Sequence, residues 1–398
     1  MNEPIPKEPI LVVNAGSSSL KFAIHAGAAL QRVARGEVRD LGAAARLTTA
    51  IDAAPAVERS VDAADAGAAL GIMIDWIAQA FPGVGFIAIG HRIVHGGMRH
   101  GEPAVLDDAV LRDLETLDPL APQHQPYNLA AARELGARFP EALSVACFDT
   151  AFHAGWDDSA RRLAVPRRFH DAGVRRYGFH GLSCEYLCGL VGGLAPLARR
   201  VVIAHLGGGS SISAVRDGRS IESTMGFSVL DGLPMATRSG AIDPGAIFHL
   251  HRRHGMDFDR IERMLYYDSG LKGVSGISGD MRALLASDRP EAREAIALYA
   301  HRCTGAIGAM AAMLGGIDAL VFSGGIGAHA APLRAAVCAP LAFLGLTFDA
   351  LANDANAARI SAPASKVGVF ALQTDEELVI ARHCRTLLAT RGARHDRH

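Results

Sequence analysis

Short apolar runs rich in β-branched residues alternate along this chain with loops built almost wholly of glycine and serine. Residues 12–22 read VVNAGSSSLKF: a run suited to a buried strand, then Asn14, Gly16 and three serines, then Lys21. Ile10–Val13 predicts a first strand, the alternating LKFAIHA a second, and Gln31–Val38 a third. The same order returns near residue 201 as VVIAHLGGGSSISAVRDGR. There Val201–Ala204 reads as a strand, Ser211–Arg216 alternates, Asp217-Gly218 makes a two-residue turn, and Ser220–Ser223 pairs back. Two such copies, about half a chain apart, predict a duplicated α/β domain, with the first copy over 1–150 and the second beginning at 151. The spacing also predicts a helix over Ala63–Ala80, stopped by Pro82-Gly83, and a strand in FIAIGHRIVHGG (86–97). Another strand lies in LSVACFDTAFH (143–153), ending on Asp149. Downstream come a long helix over Ala292–Leu314 and a strand in IDALVFSGGIGAH (317–329) that ends in a third glycine cluster. A last helix runs from about Asp375 to Leu388 with Thr374 as N-cap, and the tail RGARHDRH is expected to fray.

At roughly 100–200 residues per domain, 398 residues suffice for two. Hydrophobic residues at 49% against 20% charged give a globular balance with ample material for a core. The net charge of −1, with both signs interspersed, leaves no basic stripe and argues against nucleic acid or an anionic membrane as partner. Six cysteines (Cys147, Cys184, Cys188, Cys303, Cys338, Cys384) form no CxxC pair and lack a histidine at zinc spacing. Buried free thiols in a reducing cytosol are therefore expected, not disulfides or metal. The N-terminus MNEPIPKEPI is acidic and broken by proline, unlike a signal peptide. Ala306–Phe322, the longest apolar stretch, is Gly-rich and cut by Asp318, so it reads as a packed helix feeding a strand rather than a membrane span. The expectation is a soluble, cytoplasmic protein.

A loop of small residues at a strand end lets backbone N–H groups face an anion unobstructed, and hydroxyls add donors. Gly16, Ser17, Ser18 and Ser19 would form one jaw of a polyphosphate grip across a central cleft. Gly207, Gly208, Gly209, Ser210 and Ser211 would form the other. Either loop alone reads equally well as a hairpin turn without a ligand; two matching loops and a third glycine cluster favour the grip. Neither a GxxxxGK[ST] P-loop nor a strand–GxGxxG–helix unit occurs.

NAGSSSLKF, HRIVHGG, PLAPQHQPYNL, CFDTAFH, YGFHGLS, HLGGGSS, STMGFSVLDGLPMATRSGAIDPG, SGISGDMR, FSGGIGAH and TDEELVIAR follow one another in order. With these motifs the chain resembles the acetate kinase family of acyl-phosphate-forming kinases from Leu11 to about Arg382. The resemblance implies an α/β fold of two actin-like (ribonuclease H-like) domains around a nucleotide cleft, with residues from about 373 returning to the first domain. It further implies reversible transfer of the γ-phosphoryl group of ATP to acetate, giving acetyl phosphate and ADP, with Mg2+ (or Mn2+), in a homodimer.

The chemistry sets what the residues must do. A substrate acid with a pKa of roughly 4–5 is already ionised at pH 7 and needs no general base. The task is to join two anions and stabilise charge on the moving phosphoryl group. The resemblance assigns Arg92 and Arg238 to the carboxylate and that group, for which bidentate guanidinium geometry is suited. Outside their motifs either would read as an exposed salt-bridging arginine. His180 would donate to an equatorial phosphoryl oxygen, although a lone histidine is more often structural; His124 is a second family histidine of lesser weight. Asp149, catalytic by resemblance, has no proton to abstract, which leaves it to orient Arg92 or to hold Mg2+ through water. Asn14 and Glu376 match the magnesium-associated pair, with Glu376 preferred over Glu377. Lys21, Ser17 and Ser19, with His205, Leu206, Gly207, Gly208 and Gly209, would meet phosphate. Asp280, Met281, Arg282, Gly325, Ile326, Gly327, Ala328 and His329 would meet the nucleoside. Val94, Gln123, Phe179 and Val229 would line the acyl pocket with Arg92 and His124.

The chain departs from the family pattern at Gly208, where asparagine is usual, at Ala328 and His329 in place of Glu-Asn, and at Gly279 in place of serine. It departs also at Gln123 and Val229 in the acyl pocket, and at Cys184 behind His180. One methylene is worth only about 1–3 kcal/mol in such a pocket, so propionate or butyrate stands beside acetate as acceptor. The nucleotide-region changes leave a pyrophosphate donor open. A catalytically silent nucleotide sensor is the non-enzymatic alternative, against which the joint presence of Asn14, Arg92, His180, Arg238 and Glu376 argues.

Overall fold

In the computed structural model, which describes residues 7–42, 44–122 and 124–395, the first apolar run becomes β1 (Ile10–Ala15), buried except at Asn14. β2 (Ser19–Ala26) returns antiparallel in the register Asn14↔Lys21 and Ala15↔Leu20, and β3 (Gln31–Arg39) pairs with β2. β4 (Arg46–Ile51) and β5 (Val57–Ser60) continue the meander. β6 (Ala88–Ile93) lies parallel to β1. The two-residue β7 (Ala104–Val105) forms an edge on β8 (Leu143–Phe148), which runs parallel to β6. The strand order is β5-β4-β3-β2-β1-β6-β8-β7.

The second sheet begins with β9 (Arg200–Leu206), β10 (Ser210–Arg216) and β11 (Arg219–Ser223), all antiparallel. Asp217 and Gly218 take φ of 52° and 76°, as a two-residue hairpin turn demands. β12 (Ala319–Ser323) is parallel to β9, and β13 (Gly368–Ala371) is parallel to β12. The series β3-β2-β1-β6-β8 and β11-β10-β9-β12-β13 agree strand for strand in order and direction, so the duplication read from the loops is borne out.

Contacts divide the chain into two units. One holds residues through Ala151 with those from Asp375 onward, and the other is Phe152–Thr374. The first unit is filled by Leu11, Val13, Leu20, Phe22, Met73 and Ile77, with Trp76 packed between Phe22 and Phe81. The second is filled by Val202, Ile212, Tyr299, Ile307, Met310 and Phe322 under the helix Pro290–Leu314. The stretch 306–322 is thus a packed helix followed by β12, and no described helix is long and apolar enough to cross a membrane.

Several boundaries differ from expectation. The first helix starts at Ala66, where the Asp65 carboxylate accepts the Ala68 N–H. The last helix runs from Glu376 to His395, so residues 391–395 are helical rather than frayed; 396–398 lie outside the described residues. Asp375, not Thr374, caps it, its Oδ1 accepting the Leu378 N–H at 2.9 Å. The glycine cluster after β12 is a one-turn helix, Gly324–Gly327.

Candidate active site

In the first unit, parallel pairing of β6 with β8 brings Arg92 next to the end of β8, where Asp149 follows. Arg92 Nε donates to Asp149 Oδ1 at 3.1 Å and its Nη2 donates to Oδ2, so the carboxylate grips the guanidinium in its plane. Arg92 Nη1 donates to Asn14 Oδ1 at 3.1 Å, and Glu376 Oε2 lies 3.7 Å from Nε. Four of the expected residues are therefore one cluster, assembled from β1, β6, the end of β8 and the start of the last helix. Burial pushes the Asp149 carboxyl up against the opposing pull of Arg92. Burial alone would lower the Arg92 guanidinium, but Asp149 and Glu376 more than reverse it and keep it charged. Burial lifts the Glu376 carboxyl to about 7, opposed by Arg92 and reinforced by Asp149 and Glu377.

The β1–β2 hairpin is closed by the Gly16 N–H donating to the Ser19 carbonyl at 2.8 Å, leaving Ser17 and Ser18 exposed. Lys21 lies 3.6 Å from Glu37 across the sheet. Val94 is buried, and its N–H donates to Asn128 Oδ1 at 3.1 Å; the next N–H, of His95, donates to Gln125 Oε1 at 3.1 Å. Asn128 and Gln125 are both buried and were not among the sequence candidates. Their signal was the polar pair inside PQHQPYNL, on a helix (Gln125–Arg138) whose other inward positions are apolar. His124 stands at that helix's N-terminal flank, and Gln123 lies outside the described residues.

In the second unit, His180 is the residue before the helix Gly181–Leu194 and takes a left-handed backbone, φ 58° and ψ 28°. Its Nδ1 is 3.0 Å from Ser211 Oγ, and its ring stacks on His205 at 4.3 Å between centroids. His205 Nδ1 is in turn 2.8 Å from the buried Ser183 Oγ. Arg238 Nη1 donates to the Val229 carbonyl at 3.1 Å. Both side chains converge on the β9–β10 hairpin. A Cβ on Gly209 would come within 3.2 Å of His180 Nε2 and 3.6 Å of Arg238 Nη1, so any side chain there would intrude between imidazole and guanidinium. Phe179 is fully buried and Val229 nearly so; Cys184 is buried in the helix that His180 begins.

The same hairpin borders a cavity of about 600 Å³ within this unit. Of the expected nucleoside and phosphate residues, Gly207, Gly208, Asp280, Met281, Arg282, Gly325, Ile326 and His329 line it, with Gly279 of the same region; Leu285 and Ala330, which were not anticipated, join them. His205, Leu206, Gly209, Gly327 and Ala328 do not, nor do Ser17, Ser19 and Lys21 of the first unit. The Leu206 side chain belongs to the core, Ala328 is buried, and the Gly327 carbonyl accepts from Arg334 Nη1 at 3.0 Å. Asp280 and Arg282 hold each other, Nη2 to Oδ2 at 2.8 Å, on the cavity wall.

A model of the Acetokinase family matches residues 9–382. The acetate kinase of Methylocella silvestris is 46% identical over 397 residues, covering 95% of this chain and 98% of its own. That of Nitrobacter hamburgensis is 44% identical over 400 residues, covering 98% and 99%. Among solved structures, Porphyromonas gingivalis acetate kinase matches with a TM-score of 0.86 at 32% identity, covering 96% of this chain and all of the other. A propionate kinase from Francisella tularensis matches with a TM-score of 0.88, also at 32% identity, covering 94% and 98%.

Proposed function

The chain belongs to the acetokinase family, and on that premise we propose that it transfers the terminal phosphoryl group of ATP reversibly to acetate, giving acetyl phosphate and ADP. The observation that carries this reading is the convergence of His180 Nε2 and Arg238 Nη1 on Gly209, in a hairpin stripped of side chains. Two donors at such a turn suit an anionic group whose charge is spread over several oxygens.

In this reading an acetate oxygen attacks the γ-phosphorus, the new O–P bond forms, and the electron pair of the breaking bond leaves on ADP. No base is required, which fits Asp149: both its oxygens are engaged by Arg92, so it orients the guanidinium rather than taking a proton. Arg92, held flat, receives the carboxylate, while Arg238 and His180 meet the phosphoryl oxygens. Val94, His124, Phe179 and Val229 are the acyl-side candidates. The 600 Å³ cavity takes the nucleoside.

The donor set also fits Mg2+. Asn14 and Glu376 offer hard oxygens, and the raised Glu376 carboxyl is one that a cation would ionise. When bound, the ion would neutralise charge on the phosphates. Among the described residues no three His, Cys, Asp or Glu side chains form a cage.

A homodimer and a cytoplasmic location complete the proposal. The helix Pro244–His254 buries none of its residues, and Ile242, Phe248 and Phe258 around it are exposed, which supports a second copy as their cover. Propionate is the second reading for the acid, favoured by the likeness to the Francisella propionate kinase.

Hydroxamate trapping of acyl phosphate tests the proposal, with acetate, propionate and butyrate offered against ATP and pyrophosphate. Acetyl hydroxamate with ATP, lost on chelation, is the expected result. Absence of hydroxamate from all three acids under both donors overturns the proposal, and a higher kcat/KM for propionate selects the second reading.

A further inference from the structure

Behind His180 lies a buried set of polar side chains that the reaction as proposed leaves unused. His153 is 1% exposed. Its Nε2 is 2.9 Å from the Phe179 carbonyl oxygen, and its Nδ1 is 2.7 Å from Ser220 Oγ. Trp156 Nε1 donates to the same Ser220 oxygen at 2.8 Å.

Counting donors fixes every direction. A carbonyl can only accept, so His153 Nε2 carries the hydrogen. Burial, with Arg176 poised over the Trp156 ring at 5.3 Å, disfavours an imidazolium, so Nδ1 is bare and accepts. The single Ser220 hydrogen then goes to Nδ1, and the indole N–H fills a serine lone pair. The chain runs Trp156 to Ser220 to His153 to the Phe179 carbonyl with no group left over.

That carbonyl belongs to the peptide joining Phe179 to His180. His180 holds φ at 58°, a conformation that costs a non-glycine residue about 1 kcal/mol or more and persists only where its surroundings impose it. The His153 ring also lies so close under Gly178 (φ 79°) that a Cβ there would meet it at 2.5 Å. Ring and hydrogen bond together clamp Gly178 and Phe179.

We infer that His153 is a positioning residue for His180: its single tautomer, set by Ser220 and Trp156, pins the Phe179 carbonyl and so aims the neighbouring imidazole. The inference rests on the reading of His180 as a phosphoryl-contacting group.

Steady-state kinetics of the full chain test it, using His153→Leu, His153→Gln, Ser220→Ala, His180→Ala and the double variant His153→Leu/His180→Ala, each with a melting curve. His153→Leu is expected to lower kcat about 10²-fold while KM for ATP and acetate stays within about 2-fold. His153→Gln keeps an N–H able to reach the carbonyl and should recover most of that loss. Ser220→Ala leaves the ring but frees its tautomer, and should lower kcat by about 5-fold or more. With His180 already removed, His153→Leu should cost nothing further. Wild-type kcat in folded His153→Leu and Ser220→Ala overturns the inference, as does an undiminished loss in the double variant. If His153→Leu does not fold, Ser220→Ala decides. Undiminished kcat in His180→Ala refutes instead the role given to His180, and the inference falls with it.

Discussion

His91, one residue before Arg92 on β6, is wholly enclosed, and burial pushes its imidazole down to about 4. Unfolded, the same ring titrates near about 6.5. The folded state therefore binds fewer protons, so the associated stability is fully present above that unfolded value and is lost as pH falls toward about 4. His91→Gln should remove this loss. Between pH 7 and 5 its urea-unfolding free energy should fall by about 2 kcal/mol less than that of the wild type, and an equal fall would refute the assignment. At this scale the sequence is legible in part. Asn14, Arg92, Asp149 and Glu376 stand out by motif, and of the two roles left open for Asp149, orienting Arg92 or holding Mg2+ through water, the 3.1 Å bond from Arg92 Nε supports the first. His153 lies inside CFDTAFH and looks like any core histidine, because Ser220 and Phe179 define its role only after folding.

Elements are legible where the apolar run is continuous and less so where it is short or wet. β1, β9 and β12 are almost uninterrupted buried runs. β5 is exposed throughout and β7 has two residues, so neither leaves a period to read. Helix starts slip by one to three residues for a similar reason. Thr374 and Asp375 are both good caps, and only the fold decides that the Asp375 carboxylate reaches the Leu378 N–H. Asp375→Ala should cost about 1 kcal/mol in urea unfolding, with Asp375→Asn close to wild type. The alanine variant also loses the 3.2 Å contact with Arg32, an exposed pair worth little. A loss for asparagine as large as for alanine would point to that ion pair instead of the cap.

For the whole molecule, the duplication was legible because each copy repeats an ordered grammar of strand, small-residue loop and strand, and the loops fall at the same joint of each sheet. The exposed helix 244–254 was not legible, since its amphipathic residues give no sign of what covers them. Phe248→Glu with Phe258→Glu should convert the proposed dimer to monomer in sedimentation velocity while leaving the monomer's secondary structure intact. A wild-type protein already monomeric at micromolar concentration would remove the proposal.

The second unit, Phe152–Thr374, is spliced into the first, whose final helix packs on β1, β6 and β8. During synthesis the earliest strands to leave the ribosome are thus the last to be roofed, while the later-made half can already close on itself. The nascent chain must carry an uncovered apolar sheet face through most of its translation, a liability for which holding chaperones exist.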